Sequence, residues 1–102
     1  MLQLRPNCEL CDADLPPAAR NARICTYECT FCAECVNNIL ENVCPNCGGG
    51  FGARPIRPSQ EYRSGVSLNQ QPASVERVHT KYSTDEIRDF ATGLKARAPH
   101  ER

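Results

Sequence analysis

The chain has 102 residues, with 12 Lys plus Arg against 12 Asp plus Glu, and 8 of its residues are Cys. A chain this short seldom builds enough apolar core to stand without a staple, which argues against a large conventional catalytic core. No apolar run is long enough to span a bilayer and no signal-peptide pattern opens the chain, so the expectation is a cytoplasmic protein with no membrane contact; the balanced charge also removes the simplest case for bulk nucleic-acid binding.

The balance hides an asymmetry. Residues 1–50 carry three Arg against six acidic residues, net −3, and all eight Cys lie between Cys8 and Cys47. Residues 51–102 carry nine basic against six acidic residues, net +3. In chain order, Cys8-Glu9-Leu10-Cys11 reads as a metal knuckle, with Asp12 where such a turn prefers glycine. Arg23-Ile24-Cys25-Thr26-Tyr27 and Cys29-Thr30-Phe31 are rich in β-prone residues and predict a short hairpin. Val36, Ile39, Leu40 and Val43 recur at helical spacing and predict a two-turn helix with one apolar face. Cys44-Pro45-Asn46-Cys47-Gly48 is a second knuckle: proline sets the turn, and glycine permits the positive φ that turns backbone N–H groups toward sulfur.

Beyond it, Gly48-Gly49-Gly50 followed by Pro55 and Pro58 reads as a hinge opening a flexible, mostly irregular linker over residues 51–82. Arg54, Arg57 and Arg63, with Tyr62 nearby, form a sparse basic strip there. Ser83-Thr84-Asp85-Glu86 is a capping box opening an amphipathic helix over 83–98, with Ile87, Phe90, Ala91 and Leu94 on one face. About fifteen residues are marginal as an isolated helix, so this one needs the head, a second copy or a partner to lie on. His79 and His100 stand apart from the cysteines and read as solvated.

The spacing of the cysteines is C-x2-C-x13-C-x3-C-x2-C-x2-C-x8-C-x2-C. In an oxidising compartment eight Cys would mean four disulfides, but a reducing one leaves thiols free. A C-x2-C step brings two thiolates within reach of one ion, and four thiolates close a tetrahedron. Eight thiolates therefore make two closed sites, and the expected cofactor is Zn2+, two per chain. An iron–sulfur cluster is disfavoured: the run Cys25 to Cys35 has the ferredoxin spacing reversed, with Val36 where proline would follow.

Tyr27-Glu28-Cys29-Thr30-Phe31-Cys32-Ala33-Glu34-Cys35-Val36 resembles the central segment of a RING finger, with Cys29 where RING domains carry His. Cys8-Glu9-Leu10-Cys11 resembles its first knuckle and Cys44-Pro45-Asn46-Cys47 its last. The opening Met1-Leu2-Gln3-Leu4-Arg5-Pro6-Asn7-Cys8 also resembles a small bacterial Cys-rich family of unknown function. The resemblance covers roughly residues 1–58 and implies a small zinc-stabilised α+β fold. Residues 1–50 would form a RING-like, cross-braced double-zinc head of one short hairpin and one helix, followed by the flexible tail with its amphipathic helix. It also implies interleaved sites: Cys8, Cys11, Cys32 and Cys35 in one, Cys25, Cys29, Cys44 and Cys47 in the other. The rival layout is sequential, Cys8, Cys11, Cys25 and Cys29 and then Cys32, Cys35, Cys44 and Cys47.

Four-thiolate zinc has no open position for water, so the expected role is structural and the protein is not an enzyme; its job is to bind an unknown protein partner, with no small-molecule substrate. The alternative is a ubiquitin-ligase-type RING, in which Leu10, Ile39 (or Leu40) and Pro45 would receive a conjugating enzyme. Against it, Ile39 stands where an aromatic is usual and Gly48 where many active RINGs carry a basic residue. A lesser alternative is a zinc-ribbon-like regulator associated with nucleic acid. Two tetrathiolate zinc sites would bring the head to about −7, which repels phosphate. The partner-facing candidates are Leu10, Ile39 and Pro45 of the head and Ile87, Phe90 and Leu94 of the tail helix; Leu10 is expected to project outward, with no core to enter.

Overall fold

The structure, a computed structural model, describes residues 1–102. Its centre is a small antiparallel sheet. Strand β1 (Ala22–Ile24) pairs with β2 (Thr30–Cys32), Arg23 opposite Phe31. The other edge of β1 is taken by β3 (Gly52–Ala53), giving the order β2-β1-β3. The hairpin turn lies on Cys25–Cys29, where Glu28 adopts φ 68° and its N–H donates to the Cys25 carbonyl.

A short helix, α1 (Ala33–Cys35), follows β2 directly and widens into a π-helical turn over Val36–Leu40. It begins earlier and stops sooner than the apolar spacing suggests. Glu41 and Asn42 both take left-handed backbone angles, φ 48° and 61°, and this ends the helix before Val43. The turn nevertheless folds Val43 back into the interior, so the residue is buried outside the helix.

The main buried cluster has 12 residues, of which six are Cys: Cys8, Cys25, Cys29, Cys32, Cys35 and Cys44. Leu15, Ala22, Phe31, Val36, Leu40 and Ile87 make up the rest. Half of this core is thiol, so few aliphatic and aromatic side chains contribute to it.

Residues 51–82 depart most from expectation. They are irregular, but they are not a spacer hanging from a glycine hinge. Phe51 lies edge-on to Phe31, ring centroids 5.5 Å apart, and β3 follows at once. Arg54, expected in a basic surface strip, is buried; its guanidinium donates to the carbonyls of Arg5, Leu15 and Pro16. Arg57 donates to Leu2 and Gln71 carbonyls at 2.7 and 2.6 Å. Residues 74–80 then run beside residues 4–9. Ser74 N–H donates to the Leu4 carbonyl and Thr80 N–H to the Glu9 carbonyl. Between them the Asn7 side chain pairs with the Val78 backbone through both its oxygen and its nitrogen. The physical reason is hydrogen-bond satisfaction: the head is too small to pair its own backbone, and the returning chain supplies the missing partners.

Helix α2 (Thr84–Leu94) starts with both halves of the capping box formed between Ser83 and Glu86. It ends at Leu94, shorter than the 83–98 expected, and Pro99–Glu101 make one 3-10 turn. Helix α2 docks on the π-helical turn and the last knuckle, with Ile87 and Ala91 buried. Lys95 pairs with Glu41 at 3.0 Å, and Arg102 donates to the Asn42 and Gly48 carbonyls.

Candidate metal centres

The two knuckles are built alike. In the first, Asp12 N–H donates to the Cys8 carbonyl at 2.9 Å; in the last, Gly48 N–H donates to the Cys44 carbonyl at 2.7 Å. Each closing residue needs a left-handed backbone, φ 65° at Asp12 and 80° at Gly48. Glycine adopts this freely, whereas Asp is tolerated there because its short carboxylate finds local partners. At Asp12 those partners are Asn7 Nδ2 and the Arg77 guanidinium, 3.1 and 2.8 Å from its Oδ1. The Arg77 pairing holds the Asp12 carboxyl below the usual carboxylate range.

The fold brings the thiols of Cys8, Cys11, Cys32 and Cys35 within 4.8 Å of one another, and those of Cys25, Cys44 and Cys47 likewise. Cys29 adjoins the second group: its sulfur faces Cys25 and Cys44 and accepts from Asn46 Nδ2 at 3.3 Å. The grouping is interleaved; the sequential layout is not what the chain brings together. All eight cysteines are free thiols, and Cys11 and Cys47 are the two exposed ones.

The donor chemistry fits a tetrahedral metal. Zinc–sulfur bonds of about 2.3 Å place tetrahedral sulfurs about 3.8 Å apart, and Cys11 Sγ and Cys32 Sγ are 3.7 Å apart. Backbone N–H groups also aim at sulfur, Tyr27 at Cys25 (3.3 Å) and Gly49 at Cys47 (3.4 Å), as they do around bound metal. Burial pushes the Cys35 and Cys44 thiols far up, neighbouring sulfurs push them further, and burial also raises Cys11 and Cys29. At Cys8 burial works the same way, but the backbone N–H groups of Cys11, Cys32 and Leu10 outweigh it and hold the thiol below its ordinary range. Four crowded sulfurs cannot all ionise alone; a divalent cation removes that obstacle.

The partner-facing candidates are placed differently from one another. Leu10 does not project freely outward; it is half-buried against the core, as is Ile39. Pro45 is buried and, with Tyr82, Ile87 and Phe90, lines a shallow groove at the edge of α2. Ile87 is buried, Leu94 half-buried near Gly48, and Phe90 remains 43% exposed. His79 and His100 are both exposed and outside the thiol groups.

Residues 1–57 match a family described as a protein of unknown function, DUF1272. The chain belongs to the DUF1272 family. An uncharacterized protein of Rhizobium meliloti (strain 1021) is 54% identical over 78 residues, covering 76% of this chain and 86% of that protein. No solved structure matches. The 78 matched residues exceed the 57 of the family segment, so the likeness reaches into the chain that wraps the head. No helix of this DUF1272 protein is long and apolar enough to cross a membrane.

Several residues that shape these centres carried no functional reading from sequence: Arg5, Asn7, Glu9 and Asn46. Glu9, between two cysteines of the first knuckle, is only 2% exposed. Its Oε2 accepts from Thr30 N–H and from Arg5 Nη1, the latter at 2.7 Å. Its position inside C-x2-C was the one available signal.

Proposed function

We propose that this chain holds two zinc ions, Cys8, Cys11, Cys32 and Cys35 binding one and Cys25, Cys29, Cys44 and Cys47 the other, and that both are structural. The observation that carries the reading is the interleaved convergence of the thiols in a core that is half sulfur. Each zinc would contribute about 10–16 kcal/mol of apparent folding free energy. Four sulfurs around one ion leave no position for a reacting water, so the unit is read as non-catalytic. Its job, in this reading, is to present a rigid surface to a protein partner.

The ligase-type reading shares the eight-Cys order but needs Leu10, Ile39 and Pro45 as an open face. Pro45 is buried beside Ile87 and Phe90 of α2, which favours the interaction module. The nucleic-acid reading loses Arg54 to the interior.

The experiment is affinity purification from the protein's own host with the zinc-loaded head untagged, repeated after chelation. A protein partner held by the zinc-loaded chain and released on chelation is expected. Equal retention by the chelated chain would overturn the reading, and a conjugating enzyme among the partners would replace it with the ligase one.

A further inference from the structure

The two thiol groups are joined by a polar bridge that no cysteine takes part in as a ligand. Glu9 belongs to the first knuckle, between Cys8 and Cys11. Its N–H donates to the Thr30 carbonyl at 3.0 Å, and its carboxylate accepts the Thr30 N–H in return. Thr30 is the residue next to Cys29 of the second group. Arg5 completes the bridge. Its Nη1 pairs at 2.7 Å with Glu9 Oε2, the same oxygen that accepts the Thr30 N–H, so the guanidinium is held next to the Cys29–Thr30 peptide. The two side chains are 17% and 2% exposed, so solvent screens this pair little.

The charges make the arrangement unusual. A buried carboxylate sits against the backbone N–H of Thr30, one residue from Cys29 of a centre that itself carries negative charge when four thiolates hold one Zn2+. Two anions so placed oppose each other, and Arg5 is the cation paired with the carboxylate. Gln3 Oε1 accepts from Arg5 Nε at 3.2 Å, and the Arg5 carbonyl accepts from Arg54 at 2.8 Å, so both ends of the residue are held. Asn46 supplies a second donor to Cys29, but a neutral one.

We propose that Arg5 is a positioning residue shared by the two metal centres: it neutralises Glu9 of the first knuckle and supports Cys29 as a ligand of the second, so the second centre's affinity depends on a charge pair anchored in the first. This rests on the two-zinc reading above. Outer-shell partners of metal ligands are worth about 10–100-fold in affinity. Removing Arg5 also strands the Glu9 anion, which is why Glu9 itself is the diagnostic residue.

The test loads the full chain with cadmium and measures each centre's affinity by competition with a chelator, the two metals being distinguished by NMR correlation to their own cysteine β-protons. Arg5→Met should weaken the second centre 10–100-fold and the first far less. Glu9→Gln added to Arg5→Met should recover most of that loss, because the opposing anion is gone. Glu9→Gln alone keeps both accepted hydrogen bonds and should tighten the second centre; this arm stands even if Arg5→Met does not fold. Equal weakening of both centres by Arg5→Met, no recovery in the double variant, or a weaker second centre in Glu9→Gln would overturn the proposal. Wild-type protein that takes no metal at Cys25, Cys29, Cys44 and Cys47 would instead overturn the zinc reading beneath it.

Discussion

Ile87→Ala is the sharpest test of how the tail helix is held. Ile87 is 1% exposed and is the one large side chain of α2 in the main buried cluster. The substitution removes three carbon groups at about 0.8 kcal/mol each, or about 2.4 kcal/mol before any cavity is counted. Core changes of this kind run to about 2–5 kcal/mol once the cavity is included. The polar anchors cannot offset that: Lys95 and Glu41 are 43% and 42% exposed, and such pairs contribute little. Helix α2 has 11 residues, too few to persist undocked. The loss should therefore appear as local release of the helix rather than collapse of the head. A 2.4 kcal/mol change makes opening about fiftyfold easier. Amide hydrogen exchange on metal-loaded protein should show protection over Thr84–Leu94 falling at least that much, with β1 and β2 unchanged. A change under about threefold in α2, or an equal fall in β1 and β2, would refute this reasoning.

Three further outcomes follow from the geometry. Arg54→Met leaves the carbonyls of Arg5 and Leu15 without their donor, while the Pro16 carbonyl keeps the Ala19 N–H, and at about 1–3 kcal/mol for each buried unsatisfied group denaturant unfolding should show a loss of at least about 2 kcal/mol; a loss below about 1 would contradict the role given to this arginine. Gly48→Ala forces a Cβ onto φ 80° and to 3.2 Å from Leu94 Cδ1, so the metal-loaded protein should melt at least about 4 °C lower, and an unchanged Tm would contradict it. Metal binding should release protons. Cys35 and Cys44 lie far above the ordinary thiol range without metal, so they are protonated at pH 7 and must lose their protons to bind. Affinity then rises with pH and falls as the solution is acidified. Calorimetry in buffers of different ionisation enthalpy should count more than about two protons released per metal, and fewer would contradict thiolate ligation.

The local features were the legible ones. Gly48 and Asp12 sit where each knuckle needs a left-handed residue, and both adopt that conformation. The β-prone segments around Cys25 and Cys29 form the hairpin, and Ser83 and Glu86 cap the tail helix, because these signals lie within a few residues of what they control. What was missed depends on residues far apart in the chain. Asn7 pairs with Val78 across 71 positions, and Arg54 reaches Arg5 across 49. Such bonds leave no periodic trace, and a Gly- and Pro-rich stretch reads as linker whether it hangs free or fills unpaired backbone. The stop of the first helix was hidden similarly, since nothing in Glu41-Asn42 by itself demands two left-handed residues. Leu10 was read outward from knuckle geometry alone, without the core that the returning chain helps to enclose.

The central claim is two zinc ions held in interleaved sites, and native mass spectrometry joined to cadmium-substituted NMR tests it most directly. The account predicts the mass of the chain plus two zincs less the displaced protons, with one metal correlated to Cys8, Cys11, Cys32 and Cys35 and the other to Cys25, Cys29, Cys44 and Cys47. A single metal, iron with sulfide, or one cadmium correlated to both Cys8 and Cys25 would contradict it.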